Sequence, residues 1–121
     1  MPWTVLFHPE FEPEFAGLSE DIQTELLGRL QVLREFGPML GRPKVDTLKG
    51  SSFPNMKELR FQAGGAWRFA FAFDPQREAI VLVGGDKEGV NEKRFYADLI
   101  SVADKRFSAH VACLKRTGSK E

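Results

Sequence analysis

A single cysteine, Cys113, stands in the whole chain, so no internal disulfide can form and a reducing cytoplasm is the expected setting. The two histidines, His8 and His110, lie far apart, and with one cysteine they make no metal-ligand pattern. Long apolar runs are also missing: the longest aliphatic stretch, Ala79 to Val83, is far too short to span a bilayer. The N-terminus has neither the basic start nor the apolar run of a secretory signal. A net charge of zero excludes a protein that coats nucleic acid indiscriminately. The pattern Gly-x4-Gly-Lys-Ser/Thr is absent, which removes a phosphate-binding loop of that type.

What is present is ordinary for one globular domain, 42% hydrophobic and 28% charged over 121 residues, except that eleven are Phe. The charge is uneven. Residues 1–36 hold seven acids against Arg29 and Arg34, a balance of −5, so the remainder carries +5.

Alternation over Trp3–His8 predicts a first strand closed by Pro9. Pro13 fits the first turn of a short helix ending near Gly17. Ser19 is the expected N-cap of a second helix, with Glu20 and Asp21 complementing its dipole. Ile22, Leu26, Leu30 and Leu33 form its stripe, and Gly37-Pro38 stops it. Residues Gly41 to Pro54 read as an ordered crossover loop with a short strand near Val45–Leu48. Three strands follow from Met56 to Gly89, separated by Gly- and Pro-containing turns. In the middle strand Trp67, Phe69, Phe71 and Phe73 share the core side. Arg68, Ala70 and Ala72 share the other, which is expected to be small and open. Asn91 caps a last helix to about Lys115, with a frayed polar tail over 116–121. The expectation is a single α+β domain over 1–121, of two layers.

The meander carries the most specific chemical suggestion. Lys57 and Arg60, Arg68, and Lys87 sit on successive strands about 4.8 Å apart, so cations on one face can converge on one phosphodiester. Each also has a structural alternative. Arg60 can pair with Glu58 two residues away, Lys57 falls on the Leu59 side, and Lys87 can be the charged tip of a turn. Glu10, Glu12 and Glu14 read as a solvated acidic surface, His110 as structural or exposed, and Cys113 as a core or boundary residue.

In their order and spacing, several short segments resemble the RelE/HigB superfamily of toxin–antitoxin toxins, in its phage-associated HigB-like branch. They are Gly37-Pro38, Arg42-Pro43, Leu48-Lys49-Gly50-Ser51, Lys57-Glu58-Leu59-Arg60, Arg68 leading into Phe71-Ala72-Phe73-Asp74, Gly85-Asp86-Lys87, Phe95-Tyr96 and Ala103-Asp104. The resemblance implies a RelE-like fold, an antiparallel sheet packed against an N-terminal helical hairpin and a C-terminal helix. It implies an endoribonuclease that cuts translated mRNA at the ribosome without metal or other cofactor. A cognate antitoxin, commonly of helix-turn-helix type, would neutralise it. By the same resemblance Arg68, Arg60, Lys87 and Tyr96 are the catalytic candidates, and Lys57, Lys49 and Arg94 are candidates to bind substrate. Asp86 lies in the same region. Rival readings are a ParE-like, non-enzymatic poison of a protein such as DNA gyrase, and a non-toxic antitoxin-binding regulator.

Overall fold

Every second residue of the middle strand is aromatic, and the computed structural model, which describes residues 2–118 with side chains through Arg116, builds both faces of its sheet around that strand. The chain runs β1 (Thr4–Phe7), α1 (Phe11–Ala16), α2 (Glu20–Phe36), a 3₁₀ turn (Gly37–Met39), β2 (Val45–Thr47), β3 (Met56–Gln62), β4 (Ala66–Phe73), β5 (Glu78–Asp86) and α3 (Glu92–Gly118). The five strands order as β1-β5-β4-β3-β2.

Three of the four pairings are antiparallel, as expected, but β1 lies parallel to β5, from Thr4 opposite Glu78 to Phe7 opposite Val81. The sheet is therefore mixed. A parallel pair cannot be closed by a tight turn, and here the connection runs through the hairpin, the far edge and the meander.

On one face lies the hairpin. The Ser19 hydroxyl accepts from Ile22 N at 3.4 Å and opens α2, which buries Ile22, Leu26, Leu30 and Leu33. Together with Phe11 they cover Leu59, Phe61, Phe69, Phe71 and Val81. Each such side chain contributes roughly 1.5–3 kcal/mol by leaving water. Gly37 ends the helix at φ 54°, and a Cβ there would lie 2.2 Å from Trp3 Nε1, so glycine is required for both conformation and space.

The opposite face is not open as the sequence suggested. Helix α3 lays Leu99, Ala103 and Phe107 across Ala70, Ala72, Ile80 and Leu82, and both alanines are fully buried. Small residues on the strand are what let the helix approach. The domain consequently has three layers, hairpin, sheet and helix, rather than two. Three polar contacts fix α3. Arg106 forks onto Glu14 of α1 and donates to Leu82 O at 2.7 Å, so Glu14, exposed as expected, also fastens the helix. His110 Nε2 meets buried Asp74 at 2.8 Å. Asp104 accepts from the Ser51 hydroxyl and from Ser52 N at 2.8 Å, pinning the loop after β2. The helix extends through Gly118, past the start of the expected tail, and residues 119–121 lie outside the described residues. Cys113 is exposed on it, not a core or boundary residue.

One irregularity positions the site. The β4–β5 register shifts between Ala70, opposite Val83, and Phe71, opposite Val81. This β-bulge puts both Leu82 and Val83 against the α3 cluster and reverses the facing of every later residue in β5. Gly84 then lies under Phe69, where a Cβ would come within 2.1 Å of the ring, and Lys87 reaches the α3 side.

Candidate functional site

Where α3 begins, it no longer covers the sheet, and a cleft of about 480 Å³ opens. It is lined by Asp46, Thr47, Leu48, Lys49, Glu58, Arg60, Arg68, Lys87, Glu92 and Tyr96. Even-numbered residues of β3 and β4 face this side: Arg60 is directly opposite Arg68, and Glu58 is opposite Ala70. Like charges facing each other across two strands repel, and Glu58 offsets that repulsion. Its Oε2 accepts from Arg60 Nη2 at 3.1 Å, and its Oε1 lies 3.7 Å from Arg68 Nε. Only 4% of Glu58 is exposed, and 9% of Arg68. So buried a carboxyl group needs the partners that Arg60, Arg68 and Tyr96 supply.

Tyr96, in the first turns of α3, completes the cluster. Its hydroxyl donates to Glu58 Oε1 at 2.8 Å and accepts from Arg68 Nε at 3.3 Å. Burial, reinforced by the bond to Glu58, holds the Tyr96 hydroxyl above the ordinary tyrosine range. It therefore remains a neutral donor across physiological pH. Arg68 is further oriented by donating to Trp67 O at 2.9 Å. Arg60 Nη2 also reaches Asp46 Oδ2 on β2 at 3.4 Å.

On the other wall Lys87 Nζ meets Glu92 Oε1 at 2.6 Å, and that contact draws the Glu92 carboxyl below its usual range. Asp86 serves the turn instead of the cleft: its Oδ1 accepts from Ala66 N and Glu88 N, both at 2.9 Å. In all, four cations (Lys49, Arg60, Arg68, Lys87) face three carboxylates (Asp46, Glu58, Glu92). The net single positive charge suits an incoming anion, and the carboxylates pre-orient the cations that would meet it.

Five of the seven expected residues thus come together: Arg60, Arg68, Lys87, Tyr96 and Lys49. Two do not. Lys57 is an odd-numbered residue of β3 and faces the hairpin side, where its Nζ donates to Thr47 Oγ1 at 3.1 Å. Arg94 lies in a separate hollow with Val90, Asn91, Phe95 and Asp98. Conversely, the sequence points to Glu58 only as a partner for Arg60, whereas in the fold it is the hub joining Arg60, Arg68 and Tyr96. The signal was available in its spacing, since Glu58 and Arg60 share a strand face next to Arg68. Among the described residues no three His, Cys, Asp or Glu side chains cluster closely enough to hold a metal ion. No helix among them is long and apolar enough to cross a membrane.

With this geometry in place, the relatives of the chain are informative. Residues 13–108 match the family of phage derived proteins described as Gp49-like. The chain is 48% identical over 102 residues to HigB3 of Mycobacterium tuberculosis, named a candidate toxin, spanning 84% of this chain and 88% of that protein. It is 42% identical over 106 residues to a second such protein, HigB2, again a candidate toxin by name. That match covers 86% of this chain, which spans about half (52%) of HigB2. Among solved structures, the free state of an E. coli RelE toxin bearing two arginine-to-alanine changes superposes with a TM-score of 0.65. The identity is 18%, covering 88% of this chain and 98% of RelE, so this likeness bears on the fold. The chain belongs to the Gp49-like family, is related in sequence to the toxin-named HigB3 and HigB2 and has a RelE-like fold.

Proposed function

We propose that the protein is the toxin of a toxin–antitoxin pair, an endoribonuclease that cleaves translated mRNA at the ribosome and is neutralised by a cognate antitoxin of helix-turn-helix type. The observation that carries this reading is the pair Arg60 and Arg68, set face to face with Glu58 and Tyr96 between them and Lys87 opposite. Its toxin-named relatives support the first half of the reading.

In the proposed reaction the RNA 2′-hydroxyl attacks its own 3′-phosphorus, and the bond from phosphorus to the 5′-oxygen of the next nucleotide breaks. The products are a 2′,3′-cyclic phosphate and a 5′-hydroxyl. Arg68 and Arg60 hold the non-bridging oxygens as charge accumulates there, a contribution of about 10²–10³ in rate for one well-placed donor. In this reading Glu58, exchanging Arg60 for the substrate, accepts the 2′-hydroxyl proton, with Tyr96 fixing its orientation. Lys87, exchanging Glu92 for the substrate, supplies the proton to the departing 5′-oxygen. Lys49 meets a flanking phosphate at the rim. Near-zero net charge gives little long-range steering, which suits a substrate presented by the ribosome better than RNA captured from solution.

Induced expression in a bacterial host, with mapping of new mRNA ends, tests the reading. Growth arrest with fresh 5′-hydroxyl ends inside translated regions is expected. Arrest with intact mRNA and disturbed DNA supercoiling would transfer the assignment to a gyrase poison. Expression without arrest would leave an antitoxin-binding regulator.

A further inference from the structure

The sheet has two outer strands, and the chain treats them differently. The β2 edge is three residues long, carries Asp46 and follows Arg42-Pro43-Lys44, charges and a proline that discourage pairing. The β1 edge reads Thr-Val-Leu-Phe, with no charge at all. His8 N donates to Val81 O at 2.9 Å, and alternation along a parallel ladder turns the Val5 and Phe7 backbone groups away from β5. Trp3 N, the preceding outward group, is already spent on Arg34 O at 2.8 Å.

Beside this edge runs a groove of about 540 Å³, formed with α2 and lined by Val5, Phe7, Leu27 and Leu30 among others. Leu6 is 43% exposed and Leu27 52%. Two charges bracket the groove. Arg34 stands by the start of β1, and Glu12, whose N–H bonds His8 O, stands by its end. Neither has an ion-pair partner among the described residues.

We propose that this edge pairs with the β1 edge of a second copy, antiparallel about a two-fold axis, giving a continuous ten-stranded sheet. The fit is self-complementary, as a two-fold interface requires. With Val5 opposite Phe7 of the other copy, the outward backbone groups meet as hydrogen-bonded pairs. Leu6 falls on the axis against its own counterpart, a non-hydrogen-bonded pair with Cα atoms about 4.5 Å apart. Reversing the strand sets Arg34 of each copy beside Glu12 of the other. Both α2 helices then lie on the same face, and the two grooves join into one that receives both Leu27 side chains. The catalytic cleft, on the other face and toward β2 and β3, stays open.

Sedimentation equilibrium of the purified full chain over a wide concentration range tests the proposal. The wild type is expected to dimerise, and Leu6→Lys to weaken association at least tenfold with an unchanged circular-dichroism spectrum. Arg34→Glu alone is expected to weaken it, and Arg34→Glu combined with Glu12→Arg to restore it. A wild type that is monomeric at every concentration overturns the proposal, even if the groove takes up a segment of another protein. So does a dimer indifferent to Leu6→Lys and to the charge exchange.

Discussion

Phe69 and Arg68 are neighbours on one strand, yet their side chains belong to different proteins in a physical sense. Phe69 lies within the aromatic cluster under the hairpin, 5.7 Å from the Phe61 ring and 6.1 Å from that of Phe11. Arg68 lies on the α3 face with Glu58, Arg60 and Tyr96. The hairpin face is closed along its length by α1 and α2, whereas the other face is closed by α3 only as far as Leu99 and Phe95 reach. The difference is instructive because alternation lets the same backbone carry a dry core on one side and a charged cleft on the other. Rigidity from the first positions the groups of the second.

The comparison breaks most severely if its buried side is hollowed. Phe69→Ala should cost about 3–5 kcal/mol, a fall in melting temperature on the order of 10–20 °C, with activity lost only through unfolding. On the charged side, Glu58→Gln should cost stability, because Arg60 and Arg68 lose the charge that offsets their repulsion. In the protein that remains folded, the substitution should lower cleavage by about 10²–10⁴, the range of a lost general base. It should also let the Tyr96 hydroxyl titrate at lower pH, because one of the causes raising it is gone. Tyr96 is the sole tyrosine, so ultraviolet absorbance reads that titration directly.

A subtler perturbation joins the two faces. Gly84→Ala presses a methyl group against the Phe69 ring, an overpacking cost of about 1–3 kcal/mol. It should also displace the end of β5 and, with it, Lys87, so cleavage should fall more than stability explains. The smallest expected effect concerns pH. Burial lowers the His8 pKa from 6.5, so the folded state favours neutral imidazole. As pH falls through 6.5 the unfolded chain takes up the proton first, and stability declines. His8→Gln should flatten that decline in melting temperature between neutral and mildly acid pH.

Much of this arrangement was legible in local sequence. Ser19 capping α2, the glycine stop at Gly37 and the strict alternation of β4 are short-range effects, and the strand arginines follow from that alternation. The parallel pairing of β1 with β5 joins segments some seventy residues apart, and no local pattern encodes it. The bulge at Leu82–Val83 is a one-residue event within an evenly apolar run, Ala79 to Val83, so neither hydrophobicity nor turn residues reveal it. It nevertheless decides that Lys87 faces the cleft. Arg94 and Tyr96 differ by two residues on one helix. Which of them meets the sheet depends on the rotation of α3, set by Leu99, Ala103 and Phe107 packing on Ala70 and Ala72. Ala70 and Ala72 read as vacancy, but small residues beneath a helix mean close packing.

The most direct test is mRNA cleavage on programmed ribosomes by purified wild-type protein and by Arg68→Ala, with folding of both checked by thermal melting. The account predicts cleavage by the wild type and a loss of about 10²–10³ in the variant while it remains folded. A folded variant that cleaves as fast as the wild type would contradict the assignment of Arg68 as the phosphate clamp, and a wild type that never cleaves would contradict the nuclease itself.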